Sequence, residues 1–491
     1  MIQLVMASTL YQVASLAAMV DHGALDGLGM SNEPVARRVL VLADGSQRPE
    51  VTTPIQDAAG FEELASRFDA VVDLGALVWP RRPRQFNPRP EELLMWQRLL
   101  RSHWNLGTER VELVLESLQV TPAAALARVF HDSPISVHAD GLMSYGPTRD
   151  RLAPSISQRL DALVYLELIP GLRPVYLSEN SVALVPVPAR ALGAVLEQLA
   201  AHLEPTPEVA ALMRAPRPAS LLLGQYLVDL RILDPEEQLE LDRAMVAQAR
   251  SDGAQVVAYK PHPAAGLGGV AAVEEAAREA GLELILVRDS VPAEVLMSWL
   301  RPVSVLSSFS TSLFTARAVF DLPATAIMSR LVSHRLTPFQ NSNRIPVVLA
   351  DALLGQGAQD HTPQDQTAAT LDAAQLQALV DSVAYCMQAK LLPELREASE
   401  EFLTAEPALR DRYIRQRRLR ALGLPSAPGR STSAAASARL ALEKRLGPEQ
   451  TQRAVSLVRT LQRTPRYAAK TVGQRLVKWS QAPRPTSSRG R

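Results

Sequence analysis

Cysteine and aromatic side chains are scarce in this sequence of 491 residues, which has one cysteine and 5% Phe, Trp and Tyr. A single cysteine, Cys386, cannot form an internal disulfide, so a disulfide-stapled secreted scaffold is excluded. Its neighbours in residues 383–387 are mostly apolar and have helical spacing. This pattern favours a buried structural thiol over a nucleophile.

Long apolar runs are also missing. The first charged residue is Asp21, but the segment before it lacks a basic start and is interrupted by polar residues such as Gln3 and Ser8. We therefore expect a strand over residues 2–6 and then a helix, rather than a signal peptide. Because no other stretch is apolar enough to cross a bilayer, we expect a cytoplasmic protein that can contact the inner membrane face.

Several signature motifs are absent. The eight histidines are scattered, and no pair has the spacing of metal ligands on a helix. The sequence has no Walker motif, no Gly-x-Gly-x-x-Gly fingerprint and no Gly-x-Ser-x-Gly elbow. These absences argue against a zinc enzyme, a P-loop nucleotidase, a dinucleotide-dependent enzyme and an α/β-hydrolase.

Charge is distributed unevenly along the chain. Residues 411–491 hold 19 of the 52 Lys/Arg but 3 of the 51 Asp/Glu, so an acidic body carries a basic tail. We expect this tail to be mostly helical or disordered. It is either solvated or docked on an anionic membrane, and its few aromatic residues argue against nucleic-acid binding.

The body alternates apolar strands with amphipathic helices, which predicts parallel sheets covered on both faces. In the first unit we predict strands at residues 2–6, 39–43, 70–74, 111–115, 135–138, 175–177 and 182–187. After a Pro-rich linker at residues 204–220, we predict a second set at 221–223, 255–259, 282–287 and 303–306. The domains are therefore expected at residues 1–204 and 218–405, followed by the tail at 411–491.

The first candidate site is Asp140-Gly141, which follows a predicted strand. A carboxylate there can accept a proton from an attacking hydroxyl, and the glycine leaves room for a substrate. A simple turn or helix-capping aspartate is the alternative.

The second candidate site is Lys260-Pro261-His262-Pro263, at the end of another predicted strand. The two prolines fix the loop, so the imidazole can present a proton to a phosphate oxygen, and Lys260 adds positive charge. The alternative is an ordinary surface-loop histidine.

The third candidate site is a cluster of hydroxyl groups ahead of a predicted helix over residues 311–320. Free amides at a helix N-terminus together with hydroxyls form an anion site. One capping hydroxyl would be enough for the helix itself, so the surplus favours phosphate binding. The members are Ser307, Ser308, Ser310, Thr311 and Ser312.

In this order, the three sites resemble the motifs of bacterial sialyltransferases, especially the α-2,8-polysialyltransferase family. That family has an acidic-acidic-glycine motif, a His-Pro motif and a Ser/Thr motif on a GT-B fold. The segment Leu223-Gly224-Gln225-Tyr226 and residues 290–294 also look like the family. The resemblance covers about residues 1–400 and departs from the pattern at Ala139, where an acid is usual.

The resemblance implies an α/β GT-B fold with two Rossmann-like domains facing a cleft. It implies that Asp140 is the general base beside Gly141 and that His262 assists departure of the nucleotide. The donor would be a CMP-activated sugar and the acceptor a glycan, without an obligatory metal or other cofactor. By the same resemblance the donor phosphate or nucleotide would be bound by Gly224, Gln225, Lys260, Pro263, Ser307, Ser308, Ser310 and Thr311.

Two other functions fit the same motifs. CDP-glycerol glycerophosphotransferases also pair a His-Pro loop with a Ser-rich helix start. A GT-B scaffold without activity is the other alternative, because of Ala139.

Overall fold

The computed structural model describes residues 1–28, 34–45, 53–214, 216–262, 268–287, 291–355 and 371–426. Within these ranges, one compact unit runs from Met1 to Pro425. Pro263 and most of the predicted basic tail lie outside the described residues.

The described strands form two parallel sheets. The first sheet has the order β3-β2-β1-β4-β5-β6-β7 and the second has the order β10-β9-β8-β11-β12. The strands are β1 Ile2–Ala7, β2 Arg37–Leu42, β3 Ala70–Asp73, β4 Val111–Leu115, β5 Ile135–Ala139, β6 Leu160–Glu167, β7 Ala183–Pro188, β8 Ala219–Leu223, β9 Val256–Lys260, β10 Glu283–Leu286, β11 Ser304–Ser307 and β12 Ala324–Ala326.

Helices connect the strands and cover the sheets. Those of the first half are α1 Leu10–Asp21, α2 Phe61–Ala65, α3 Leu74–Val78, α4 Leu93–His103, α5 Ala123–Val129, α6 Pro154–Ser157, α7 Ala189–His202 and α8 Pro207–Arg214. Those of the second half are α9 Pro235–Ser251, α10 Gly268–Ala280, α11 Ala293–Leu300, α12 Thr311–Phe320, α13 Ser329–Arg335, α14 Arg344–Leu354, α15 Ala373–Gln388, α16 Arg396–Ala405, α17 Pro407–Tyr413 and α18 Gln416–Leu422.

The central strands are buried along their whole length because helices cover both faces of each sheet. Every residue of β1, β4 and β8 is buried. Since the strands are parallel, their carboxyl ends meet at one edge of each sheet. Asp140 follows β5, and Lys260 ends β9.

The structure corrects three sequence-based predictions in the connecting regions. Residues 175–177 are not a strand; β6 takes the place of a strand before β7, and its apolar run Ala162–Leu166 went unrecognised. The Pro-rich segment at 204–220 contains α8, which starts at one of its prolines. The second sheet ends in β12, a short strand that was not predicted.

Helix α7 joins the two sheet layers. It follows β7 of the first sheet, yet it packs against α1 on one side and against α11 and α12 on the other. The indole nitrogen of Trp299 donates a hydrogen bond of 3.0 Å to the carbonyl oxygen of Ala200 at this junction. One apolar core therefore continues from the first sheet to the second.

The chain beyond residue 405 continues to pack on the body. Two helices, α17 and α18, lie where the tail begins, with Tyr413 and Leu419 buried. Arg412 forms an ion pair of 2.7 Å with Asp351, and Arg418 donates to the carbonyl oxygen of Cys386 at 2.6 Å. Cys386 is buried in α15, and burial raises its pKa to about 12.

None of the described helices combines the length and apolar character that crossing a bilayer requires.

Candidate active site

A cavity of about 230 Å³ opens at the carboxyl ends of β4 and β5. Its floor comes from the first sheet, while Gln340, Ser342, Met387 and Gln388 of the second half close its other side. Arg149 on the rim donates to the Ser342 hydroxyl at 2.6 Å, which holds the two sides together. The cavity thus belongs to the boundary between the two halves of the body.

Asp140 is half-buried in this cavity, directly after β5. Desolvation raises the pKa of its carboxyl above the usual value. The negative charge of Glu116 raises it further, and a hydrogen bond from Gln12 lowers it. Asp140 is therefore a stronger base than an exposed aspartate.

Glu116 provides a second carboxylate beside Asp140. It follows β4, the strand that pairs with β5. Its two oxygens accept hydrogen bonds from the Ser8 hydroxyl at 2.5 Å and from the Gln12 side-chain amide at 2.8 Å. The site thus has two acids at neighbouring strand ends, although position 139 is alanine.

His138 is buried on β5, two residues before Asp140. Its Nε2 lies 2.8 Å from the carbonyl oxygen of Met6. Because a carbonyl can only accept, Nε2 carries the proton and Nδ1 keeps its lone pair. Nδ1 is buried without a hydrogen-bond partner, and burial lowers the pKa of the imidazole, which keeps it neutral.

Gly141 touches the second half of the chain. A Cβ built on Gly141 would lie 2.9 Å from Oγ1 of Thr311, the first residue of α12. The φ angle of Gly141 is −160°, so the requirement for glycine is one of space and not of backbone conformation. The first and third sequence motifs are therefore in contact.

A cluster of polar side chains extends from this contact into the second sheet layer. Thr315, one turn after Thr311, lies 3.4 Å from the hydroxyl of Tyr11. Glu294, at the start of α11, is buried, accepts a hydrogen bond from Ser312 and lies near the charge of Lys260. Desolvation raises the pKa of the Glu294 carboxyl.

His262 is half-buried beyond the end of β9. Its ring packs on Tyr226 with the centroids 4.3 Å apart. Desolvation lowers the pKa of His262 to about 4, so the imidazole is neutral at neutral pH when no ligand is bound. An approaching phosphate would favour the charged form and raise that pKa.

Gly224 and Gln225 follow β8 and organise the neighbouring loops. A Cβ on Gly224 would meet the Tyr259 hydroxyl at 2.5 Å, so only glycine fits there. The side-chain oxygen of Gln225 accepts hydrogen bonds from the backbone amides of Ser308 at 3.1 Å and Phe309 at 3.3 Å. Two backbone amides just ahead of α12 thus already have an acceptor.

The four predicted phosphate-binding hydroxyls differ in exposure. Ser307 and Ser308 are buried; Ser307 donates to the carbonyl oxygen of Leu223 at 3.0 Å, and the Ser308 hydroxyl has no partner. Ser310 caps α12, because its hydroxyl accepts a hydrogen bond from the Ser312 amide at 3.2 Å. Both Ser310 and Thr311 are half-buried. Ser310 and Thr311 are therefore the hydroxyls that lie nearer the surface.

The structure thus brings Asp140, Gly141 and Thr311 together, and it places Lys260 near Glu294. Among the described residues that line the Asp140 cavity, neither His262 nor Ser308 appears. Sequence reasoning missed Glu116, Glu294 and Tyr11. The rule that found Asp140, an acid at a strand end, also applies to Glu116, and Glu294 lies in the 290–294 segment that was quoted without a role.

Across the ranges that the structure describes, no three His, Cys, Asp or Glu side chains are arranged to hold a metal ion.

Three solved structures illustrate what the chain is similar to. A UDP co-structure of S. aureus MnaA is 14% identical with a TM-score of 0.39, covering 78% of this chain and 96% of its own. The GT-B domain of a sialyltransferase from Photobacterium damselae is 12% identical with a TM-score of 0.37, covering 72% and 96%. A UDP-N-acetylglucosamine 2-epimerase from Rickettsia bellii is 12% identical with a TM-score of 0.36, covering 66% and 78%. No curated protein matches the sequence.

The two parallel α/β sheets, with a cavity where the halves of the body meet, have the architecture of the GT-B fold. The family model of the alpha-2,8-polysialyltransferases matches residues 3–328, which is more than half of the sequence. The chain belongs to this family and is a sialyltransferase-type glycosyltransferase, which confirms the resemblance seen in the motifs.

Proposed function

We propose that the protein transfers sialic acid, or a related CMP-activated keto-sugar, to a hydroxyl group of a glycan acceptor in cell-surface polysaccharide synthesis. The observation that carries the proposal is the contact between Gly141 and Thr311. Gly141 follows Asp140 and Thr311 begins α12, so this contact supports a base close to a helix N-terminus, where backbone amides and hydroxyls favour an anion. A base and a leaving-group site then lie on opposite sides of one reacting carbon.

The reaction is an inverting single displacement. Asp140 takes the proton of the acceptor hydroxyl while the acceptor oxygen bonds to the anomeric carbon of the donor sugar. The bond between that carbon and the phosphate oxygen breaks, and CMP leaves with the electron pair. His262, charged once the phosphate is bound, donates a hydrogen bond to the departing phosphate.

Glu116 and His138 adjust the base. The carboxylate of Glu116 makes ionised Asp140 less stable and therefore more basic. The free Nδ1 lone pair of His138 accepts a hydrogen bond from Asp140 once that carboxyl is protonated. The acceptor proton is thereby retained in the site while the new bond forms.

The charge on leaving CMP is held by protein groups, so we propose that no metal is obligatory. Lys260 and the start of α12 supply the positive potential, and Ser310 and Thr311 supply hydroxyl donors. Gly224 and Gln225 keep the intervening loops in place.

The proposal is tested by calorimetric titration with CMP, CDP and UMP, followed by transfer assays with CMP-sialic acid and sialylated glycan acceptors in the presence of EDTA. Selective CMP binding that His262→Ala weakens, together with transfer that Asp140→Asn abolishes, is the expected result. Preference for CDP would favour transfer of glycerol phosphate. No binding of any nucleotide would favour a scaffold.

A further inference from the structure

Helix α4 exposes apolar side chains on the face turned away from the sheet. Leu94, Met95 and Leu99 are 60%, 56% and 43% exposed, while Leu100 on the other side of the helix is fully buried. Residues 95 and 99 are one turn apart, as are 94 and 98, so these side chains share one face. A surface helix ordinarily places charged or polar residues there.

Trp79, directly after α3, is a second exposed apolar side chain, with 79% of its surface accessible. The loop after it returns to α4, because the rings of Phe86 and Trp96 meet edge to face with centroids 4.9 Å apart. Hydrogen bonds from Arg89 lower the pKa of the Glu92 carboxyl, and the charge of Arg81 in this loop lowers it slightly further. The loop that follows Trp79 therefore packs against α4.

Exposed arginines accompany this apolar surface. Arg81, Arg82 and Arg84 follow Trp79, and Arg98 lies between Met95 and Leu99 on α4. Residues 79–103 contain six arginines and two acids, Glu91 and Glu92. We call the following set the docking face: Trp79, Arg81, Arg82, Arg84, Leu94, Met95, Arg98 and Leu99.

The docking face lies at the same edge of the first sheet as the Asp140 cavity. Helix α4 runs from the carboxyl end of β3 back to the start of β4, so Leu94 and Met95 are near the carboxyl edge. The Thr121 hydroxyl donates to the carbonyl oxygen of Arg84. Thr121 ends the loop that begins at Glu116, which lines the cavity.

We infer that the docking face rests on the surface of an anionic lipid bilayer, with Trp79 and the apolar face of α4 inserted among the headgroups. Tryptophan is enriched at that depth because its ring is apolar while its N–H remains hydrogen-bonded. Arginines around inserted apolar side chains are attracted by anionic lipid headgroups. This inference concerns a surface outside the cavity and does not depend on the chemistry proposed for Asp140.

Charge separates this occupant from two others. A second copy of the chain would bring one set of these arginines against another, which is repulsive. The segment 427–491 of the same chain carries 14 Lys/Arg and 2 Asp/Glu, so it is repelled in the same way. An anionic bilayer complements both the charge and the apolar character of the face.

The test uses the full chain and vesicles of phosphatidylcholine, with and without about 30 mol% phosphatidylglycerol or cardiolipin to supply negative surface charge. Two triple variants change the docking face, Leu94→Gln/Met95→Gln/Leu99→Gln and Arg81→Glu/Arg82→Glu/Arg84→Glu. Matched controls carry the same changes at exposed sites elsewhere, Met213→Gln/Leu230→Gln/Leu239→Gln and Arg243→Glu/Arg250→Glu/Arg330→Glu. Thermal unfolding checks that each variant is folded.

We expect the wild-type protein to sediment with anionic vesicles and both docking-face variants to bind at least about ten-fold more weakly, since each arginine near an anionic surface contributes about five-fold. The controls should bind within about two-fold of wild type. In vesicles with brominated acyl chains, tryptophan fluorescence should be quenched, and Trp79→Phe should remove most of that quenching.

Three results would overturn the inference. Binding that falls equally in the controls would indicate general charge attraction. Unchanged binding of the docking-face variants, with binding lost on truncation after Ser426, would assign the membrane contact to the tail. A dimer that the docking-face variants dissociate, without vesicle binding by the wild type, would assign the face to a second copy.

Discussion

Gly141 and Thr311 lie so close together that a Cβ on Gly141 would come within 2.9 Å of the Thr311 hydroxyl. One residue follows the general-base candidate at the end of β5, and the other begins α12 of the second sheet layer. Their contact couples the position of the base to the position of the predicted phosphate site. Several expected outcomes depend on it and on the charges nearby.

Gly141→Ala should destabilise the protein by about 1–3 kcal/mol, because the added methyl group has no space. Urea unfolding would measure the loss. Thr311→Ala removes the hydroxyl and the methyl group that oppose the new Cβ, so it should relieve the steric clash. The double variant should therefore be more stable than the sum of the two single changes implies. Additive effects would show that the two residues do not press on each other.

Glu116→Gln should move the acidic limb of kcat/KM to lower pH. As the proposed base, Asp140 works only when ionised, so activity should fall as the pH drops through its pKa, and the Glu116 charge raises that pKa. The weaker base should also lower the rate on the plateau. pH–rate profiles measure both effects, and Glu109→Gln, an exposed acid before β4, is the control; an unmoved limb would exclude coupling between Glu116 and Asp140.

His262 should take up a proton when CMP binds near neutral pH. Its pKa is about 4 in the free protein because of burial, and phosphate favours the charged imidazolium. Calorimetry in buffers of different ionisation enthalpy counts the protons taken up, and His262→Gln should abolish the uptake. Without ligand, stability should fall as the pH drops from about 6.5 to about 4, since only the unfolded state gains this proton there.

Asp242→Asn should stabilise the protein at pH 8. Burial raises the pKa of Asp242 to about 7, so the folded state loses stability as the pH rises from about 4 to 7 and the unfolded carboxyl ionises first. The increase in the free energy of unfolding, relative to wild type, should reach roughly 2–4 kcal/mol above pH 7 and vanish near pH 3. Asp252→Asn is the control, because Asp252 also accepts from a glutamine four residues earlier on α9 but is exposed.

The sequence predicted the central strands well because short, mostly apolar runs between helices have few alternatives. It failed where the local pattern was weaker than the tertiary context. Strand β6 begins with Leu160 and Asp161, whose mixed polarity hid the buried run that follows, and residues 175–177 are apolar because they pack in a loop. The helix α8 was hidden among prolines, one of which is its first residue.

The candidate site was predicted in its parts but not in its contacts. Sequence placed Asp140, Lys260 and Thr311 at strand ends and helix starts, where parallel sheets present their ligands. It could not show that Glu116 lies beside Asp140, because this depends on the pairing of β4 with β5 in the sheet. Nor could it show that Ser307 and Ser308 point into the interior, since their exposure depends on the packing of β11 between β8 and β12.

The side-chain oxygen of Gln225 already accepts hydrogen bonds at the predicted phosphate site. This oxygen occupies the amides of Ser308 and Phe309, so an anion that reaches them must displace one acceptor in order to supply another. Such an exchange leaves the number of hydrogen bonds unchanged, and the net gain has to come from the anion's charge. We therefore expect these two amides to favour charged ligands over neutral ones.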